Sequence, residues 1–200
     1  MFASALSKWN QVPKAVKVFL LKAAIILVVW KVLYLAFLAP TRTLDDPLTQ
    51  SVGILTTSAL NLYTHSNDYT SKGEVRSYKT GTGTTGYVVE QAISFRNKTI
   101  VYIEDACNGL ELFVLYISFI LILPAATRYK VLYCILGVLA IYAVNVFRCA
   151  LVAYMQIYYP AHVDFAHHYV FAFIVYAFII GLWLAYSNKV TFTHNDSARQ

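Results

Sequence analysis

Glu104-Asp105-Ala106-Cys107-Asn108-Gly109-Leu110-Glu111-Leu112, followed by a nearly unbroken apolar run to Leu123, carries a polar stretch directly into a membrane span. A thiol stands at that boundary. Downstream, Arg148 lies inside a second long apolar run and His167-His168 open a third. Ionisable groups are expensive in transmembrane segments and mark functional sites there. A thiol, a guanidinium and an imidazole at one depth would supply a nucleophile, an oxyanion stabiliser and a base.

The rest of the chain fits the membrane reading. Hydrophobic residues make up 58% of its 200 residues and charged residues 13%, and mean hydropathy is +0.56. A soluble domain carries about 25% charged residues. The fold class is therefore an all-α integral membrane protein, a single domain over 1–200. Four spans of roughly 20 residues are expected, at about 18–38, 108–123, 131–159 and 168–188, with Pro40, Pro124 and Pro160 as stops. The first run is too long for a cleavable signal peptide and shows no clear small-residue cleavage site. The net charge of +6 calls for no nucleic acid, because much of the Lys and Arg flanks the spans.

Orientation follows from those flanks. Lys8, Lys14 and Lys17 precede the first span, Arg128 and Lys130 join the second to the third, and Lys189 and Arg199 follow the fourth. Four spans place all of them on the cytoplasmic side, so Thr41–Ala106 faces outward. At a rise of about 1.5 Å per residue, Cys107 stands roughly 26 Å above Pro124, Arg148 roughly 26 Å above Val131 and His167 roughly 31 Å above Asn188. The hydrocarbon core is about 30 Å thick. All three groups reach its outer boundary.

In the outer segment, Leu48, Val52, Leu55, Ala59 and Leu62 recur at helical spacing, which predicts an amphipathic helix on the membrane surface. Residues 67–86 are rich in Ser, Thr, Gly and Lys and read as a mobile loop. Tyr87–Phe95 and Thr99–Ile103 then read as a small β-hairpin.

Around the thiol, Gly109 permits close approach of an extended substrate and Asn108 offers it hydrogen bonds. Cys107 is read as opening a helix, whose dipole favours the thiolate. Asn145 shares a helix face with Arg148 and joins Asn108 and Gly109 as a substrate-binding candidate. Arg148 either holds an oxyanion or pairs with an acid such as Asp164 or Glu111. Only one of His167 and His168 can point into the site, since helix neighbours diverge by about 100°. Cys134 and Cys149 read as packing residues. No metal-ligand spacing appears, and no cofactor is implied.

The segments Ala106-Cys107-Asn108-Gly109-Leu110, Asn145-Val146-Phe147-Arg148 and Asp164-Phe165-Ala166-His167 together resemble the exosortase/archaeosortase family, above all its short Bacteroidetes forms. The likeness covers roughly Phe95 to Lys189. It implies a membrane-embedded cysteine protease or transpeptidase that cleaves a C-terminal sorting tail of exported proteins on the outer side of the cytoplasmic (inner) membrane. That tail comprises a short motif, an apolar helix and a basic cluster. The cut protein would pass to a surface glycan or lipid acceptor. The resemblance implies Cys107 as nucleophile, Arg148 as stabiliser and His167 as acid/base, with His168 the alternative. Many members have about eight spans, so partner helices or a homo-oligomer would complete a four-span groove. A small transporter or a structural assembly subunit is the competing reading. The first would need acidic residues along a path, which the third and fourth spans lack.

Overall fold

A computed structural model of the chain describes residues 13–79 and 85–197. Lys8 and Arg199, used above for orientation, lie outside the described residues, as does 80–84 within the expected loop. Helix α1 runs as Lys14–Leu33, a π-helical segment Tyr34–Leu38 and a last turn Ala39–Thr41. It stops where Arg42 turns left-handed at φ 52°. Helix α2 is Asp45–Thr64; strands β1, β2 and β3 are Tyr69–Lys79, Thr85–Phe95 and Lys98–Ile103. A 3-10 turn Asp105–Cys107 leads into α3, Leu110–Ile122, and then α4, Thr127–Tyr158. The last helix, α5, runs as Pro160–Phe165, a second π segment Ala166–Phe171 and Ala172–Ser197.

Among the described residues, three helices are long and apolar enough to cross a membrane, Val16–Thr41, Thr127–Tyr158 and Pro160–Lys189. The chain is a multi-pass membrane protein. The expected second span is shorter than drawn: α3 has 13 residues, which reach about 20 Å. Its start is fixed by Gly109, whose φ of 91° cannot continue a helix, and its end by the extended Leu123 before Pro124. Among the described residues the bundle thus has three helices long enough to span and one short apolar helix, where about four transmembrane helices were expected.

Helix α3 runs antiparallel to both α1 and α4. Phe19 meets Phe119 at one end of the α1–α3 pair and Lys31 meets Glu111 at the other. In the α3–α4 pair the Tyr116 hydroxyl donates to the Tyr133 carbonyl (3.0 Å). The Tyr116 ring fills the space that a Cβ on Gly137 would need, so glycine lets the two helices close up there. Phe113, Tyr116, Ile120, Ile141, Val175, Ile179 and Tyr186 form the core of α3, α4 and α5.

The segment from Thr41 to Ala106 is ordered more extensively than its composition suggested. Helix α2 buries Thr49, Val52, Gly53, Thr56 and Leu60 against the sheet and α4; of the expected apolar stripe Val52 is buried, while Leu55, Ala59 and Leu62 stay exposed on the opposite side. The expected mobile loop at 67–86 is largely strand. Strand β1 pairs along its whole length with β2, from Tyr69↔Phe95 to Lys79↔Thr85, and β2 pairs with β3. An antiparallel sheet with order β1-β2-β3 therefore stands where a two-stranded hairpin was expected. Strand β1 escapes a hydropathy reading because its backbone bonds hold it while most of its side chains stay solvated. Tyr69 anchors its start, packed on Phe95 at 4.9 Å between ring centroids and bonded through its backbone to both amide atoms of Asn61. Between β2 and β3, Arg96 and Asn97 both take positive φ, as a two-residue hairpin turn requires.

Candidate active site

Strand β3 delivers the chain to the thiol. After Ile103, Glu104 is extended and the Cys107 N–H bonds back to its carbonyl (2.8 Å), closing the 3-10 turn. Cys107 therefore precedes α3 by a short turn; it does not open the helix as its sequence position suggested. Asn108 caps α3 by accepting the Leu110 N–H on its side-chain oxygen (2.8 Å). Gly109 follows at φ 91°, and a Cβ there would stand 3.3 Å from the Asn145 amide.

Both flanks of Cys107 are tied to the corner between α1 and α2. Asp105 receives two bonds from the Arg42 guanidinium, at 2.7 and 3.1 Å, and one from the Thr49 hydroxyl (3.0 Å). Arg42 also bonds Asp46 and the Val89 carbonyl of β2. Burial pushes the Asp105 carboxyl above the usual carboxylate range, while Thr49 and Arg42 pull it back down. On the other flank the Asn108 amide donates to the buried Asp45 (2.9 Å) and reaches Thr49 (3.3 Å), and Asp45 accepts from the Tyr34 hydroxyl (2.9 Å). Asn108 is fully buried. Expected to touch substrate, its side chain is occupied in holding the turn.

The third tie comes from α4. Asn145, also fully buried, donates to the Cys107 carbonyl (2.8 Å), and the Cys149 thiol lies 3.9 Å from the same oxygen. One turn along α4 from Asn145 is Arg148. Among the described residues its Nε is buried without a partner, as is the Asn145 side-chain oxygen. The two acids considered as its partners are committed elsewhere. Glu111 pairs with Lys31 at 2.8 Å and Asp164 with His168 at 3.2 Å.

Cys107, Arg148 and His167 line one cavity of about 370 Å³, bounded by β3, the 3-10 turn, α4 and α5, with Glu104, Gln156 and Asp164 among its polar walls. His168 does not line it. Its Nδ1 sits 3.0 Å from the Asp164 carbonyl, its ring stands at 78° to that of His167, and its side chain is 62% exposed. Both histidines belong to the π segment of α5, a helix variant found disproportionately at functional sites. Arg148 and Asn145 also face a larger cleft of about 700 Å³ between α1, α3 and α4, which Asn108 and Gly109 line as well. Among the described residues, no group of three or more His, Cys, Asp or Glu side chains converges as a metal site would require.

Sequence reasoning passed over Arg42, Asp45, Thr49 and Asp105. Their one local signal is the Arg42-to-Asp46 spacing at the start of α2; the contacts with Asp105 and Asn108 join residues far apart in the chain. Gly109→Ala tests the framework. It forces an L-residue into a left-handed conformation and should cost about 1–3 kcal/mol. Thermal unfolding of the detergent-solubilised protein should show the loss. Gly181→Ala, with open space around its Cβ position, should show none.

The chain matches the family model of transmembrane exosortases over residues 12–185. No curated protein and no solved structure matches it.

Proposed function

The chain belongs to the transmembrane exosortase family, and from that premise we propose that it is a cysteine transpeptidase acting on the C-terminal sorting tails of exported proteins. The observation that carries this reading is the shared cavity. Three separate elements bring Cys107, Arg148 and His167 to its walls. Each suits one role in acyl transfer.

The Cys107 thiolate attacks the scissile carbonyl carbon, forming a C–S bond as the carbonyl π electrons move to oxygen. Arg148 holds that oxyanion; its buried Nε has no other partner. The intermediate collapses with loss of the C–N bond, and protonated His167 gives its proton to the departing amine. The resulting thioester is attacked by an acceptor nucleophile, a glycan or lipid group at the outer face of the cytoplasmic membrane. His167 takes the acceptor's proton, and the thiolate leaves. Asn145 and Asn108 hold the turn while this happens, and Gly109 leaves the backbone open to the chain being cut.

The test is to trap the thioester. An exported protein of the same cell that ends in an extended motif, an apolar helix and a basic cluster should form a hydroxylamine-labile adduct at Cys107 when acceptor is depleted. Absence of any adduct and of any cleavage would refute the reading. Within it, His167→Ala should cut turnover by at least about 10²-fold, whereas His168→Ala should cost only a few-fold, measured as the rate of tail release.

A further inference from the structure

Arg148 stands between two cavities. Cys107 and His167 line the smaller one, while the larger cleft runs down from Arg148 between α1, α3 and α4. Along α1 the cleft extends from Tyr34 to Leu27, a depth of about 10 Å, or two helical turns. Its lower walls are apolar, with Leu27 on one side and Leu115 on the other. Arg148 and Asn145 line its polar end, and each carries a buried atom without a partner among the described residues, the Arg148 Nε donor and the Asn145 Oδ1 acceptor. A peptide group, with one acceptor and one donor, can partner both; an acyl chain can partner neither.

We infer that this cleft is the seat of the leaving part of the tail, the residues just C-terminal to the cut and the first two turns of the apolar helix that follows. The inference rests on the transpeptidase reading and gives the substrate a direction. The scissile carbonyl lies at Arg148, the exported side leaves through the small cavity along β3, and the membrane side descends between α1 and α3. The apolar walls admit a helix that must stay in the bilayer. The Lys31–Glu111 ion pair, 54% and 74% exposed, joins α1 to α3 beside the cleft. Helix α1 packs chiefly on α3, and its spanning window buries no residue inside the protein.

Photo-crosslinking tests this. Benzoylphenylalanine is placed at Leu115 in the cleft and, as control, at Phe173, which is 75% exposed at a similar depth on α5. The background is Cys107→Ala, and the exported protein used for the thioester trap serves as the probe. Crosslinking of the tail helix from Leu115 and not from Phe173 is the expected result. Equal capture from both positions, no capture, or capture of lipid alone at Leu115 overturns the inference. Leu115→Trp, made in the active protein, should fill the cleft and slow tail cleavage at least about tenfold, with alkylation of Cys107 by a small impermeant thiol reagent unchanged. Unchanged cleavage by this variant also counts against the cleft. A tail cut normally yet never captured from Leu115 sinks the cleft and keeps the enzyme. A tail captured there but never acylated at Cys107 keeps the cleft and sinks the enzyme.

Discussion

Cys107→Ala should leave a folded, inserted protein that releases no tail, a loss of at least about 10³-fold in turnover. The expectation of intact folding comes from how the turn is held. Asn145 binds the Cys107 carbonyl, Glu104 receives its N–H, and Asp105 and Asn108 make the side-chain contacts on either flank. Alanine keeps every one of these bonds and removes only the sulfur. The other cysteines serve as internal controls. Cys134→Ala should be silent, and Cys149→Ala should retain activity within a few-fold, since its buried thiol meets the Cys107 carbonyl only at 3.9 Å. Tail release and insertion are read side by side in membranes. Normal release by Cys107→Ala would exclude a cysteine transpeptidase.

Arg148→Lys should lower turnover by at least about 10²-fold although the charge survives. Arg148 lines both cavities and has no carboxylate partner among the described residues, and the atom buried without an acceptor there is Nε. Lysine has no donor at that place along its side chain and cannot present a planar fork to an oxyanion and a neighbouring peptide group together. Alkylation of Cys107 should proceed normally in the variant, which separates loss of oxyanion binding from loss of the site. Turnover close to the parent protein's would mean that only a positive charge is needed at this position.

Much of this was readable before any coordinates. Apolar runs and the stops at Pro124 and Pro160 marked the helices, and the constant rise of a helix placed Cys107, Arg148 and His167 at one depth. The shortness of α3 was not readable, because Gly109 is compatible with a helix interior until its φ is known. The framework of Arg42, Asp45, Thr49 and Asp105 was hidden for another reason. Its contacts join segments some sixty residues apart, and hydropathy carries no pairing information. Strand β1 resembled a loop because a solvated ribbon needs few apolar side chains. Of the two histidines, only His167 lines the cavity, and both lie in a π segment that plain helical spacing does not reveal.

Those π segments have a consequence for how such a protein can change. One lies in α1 at Tyr34–Leu38 and one in α5 at Ala166–Phe171; Tyr34 bonds Asp45 and His167 lines the cavity. A π turn is in effect a single inserted residue, and each residue rotates a helix by about 100°. The face that α1 and α5 turn to their neighbours lower down is thereby offset by a fixed rotation from the face that carries Tyr34 and His167. A one-residue deletion that restored the plain α-helix would leave both spans apolar and insertable, yet turn Tyr34 or His167 away from its post.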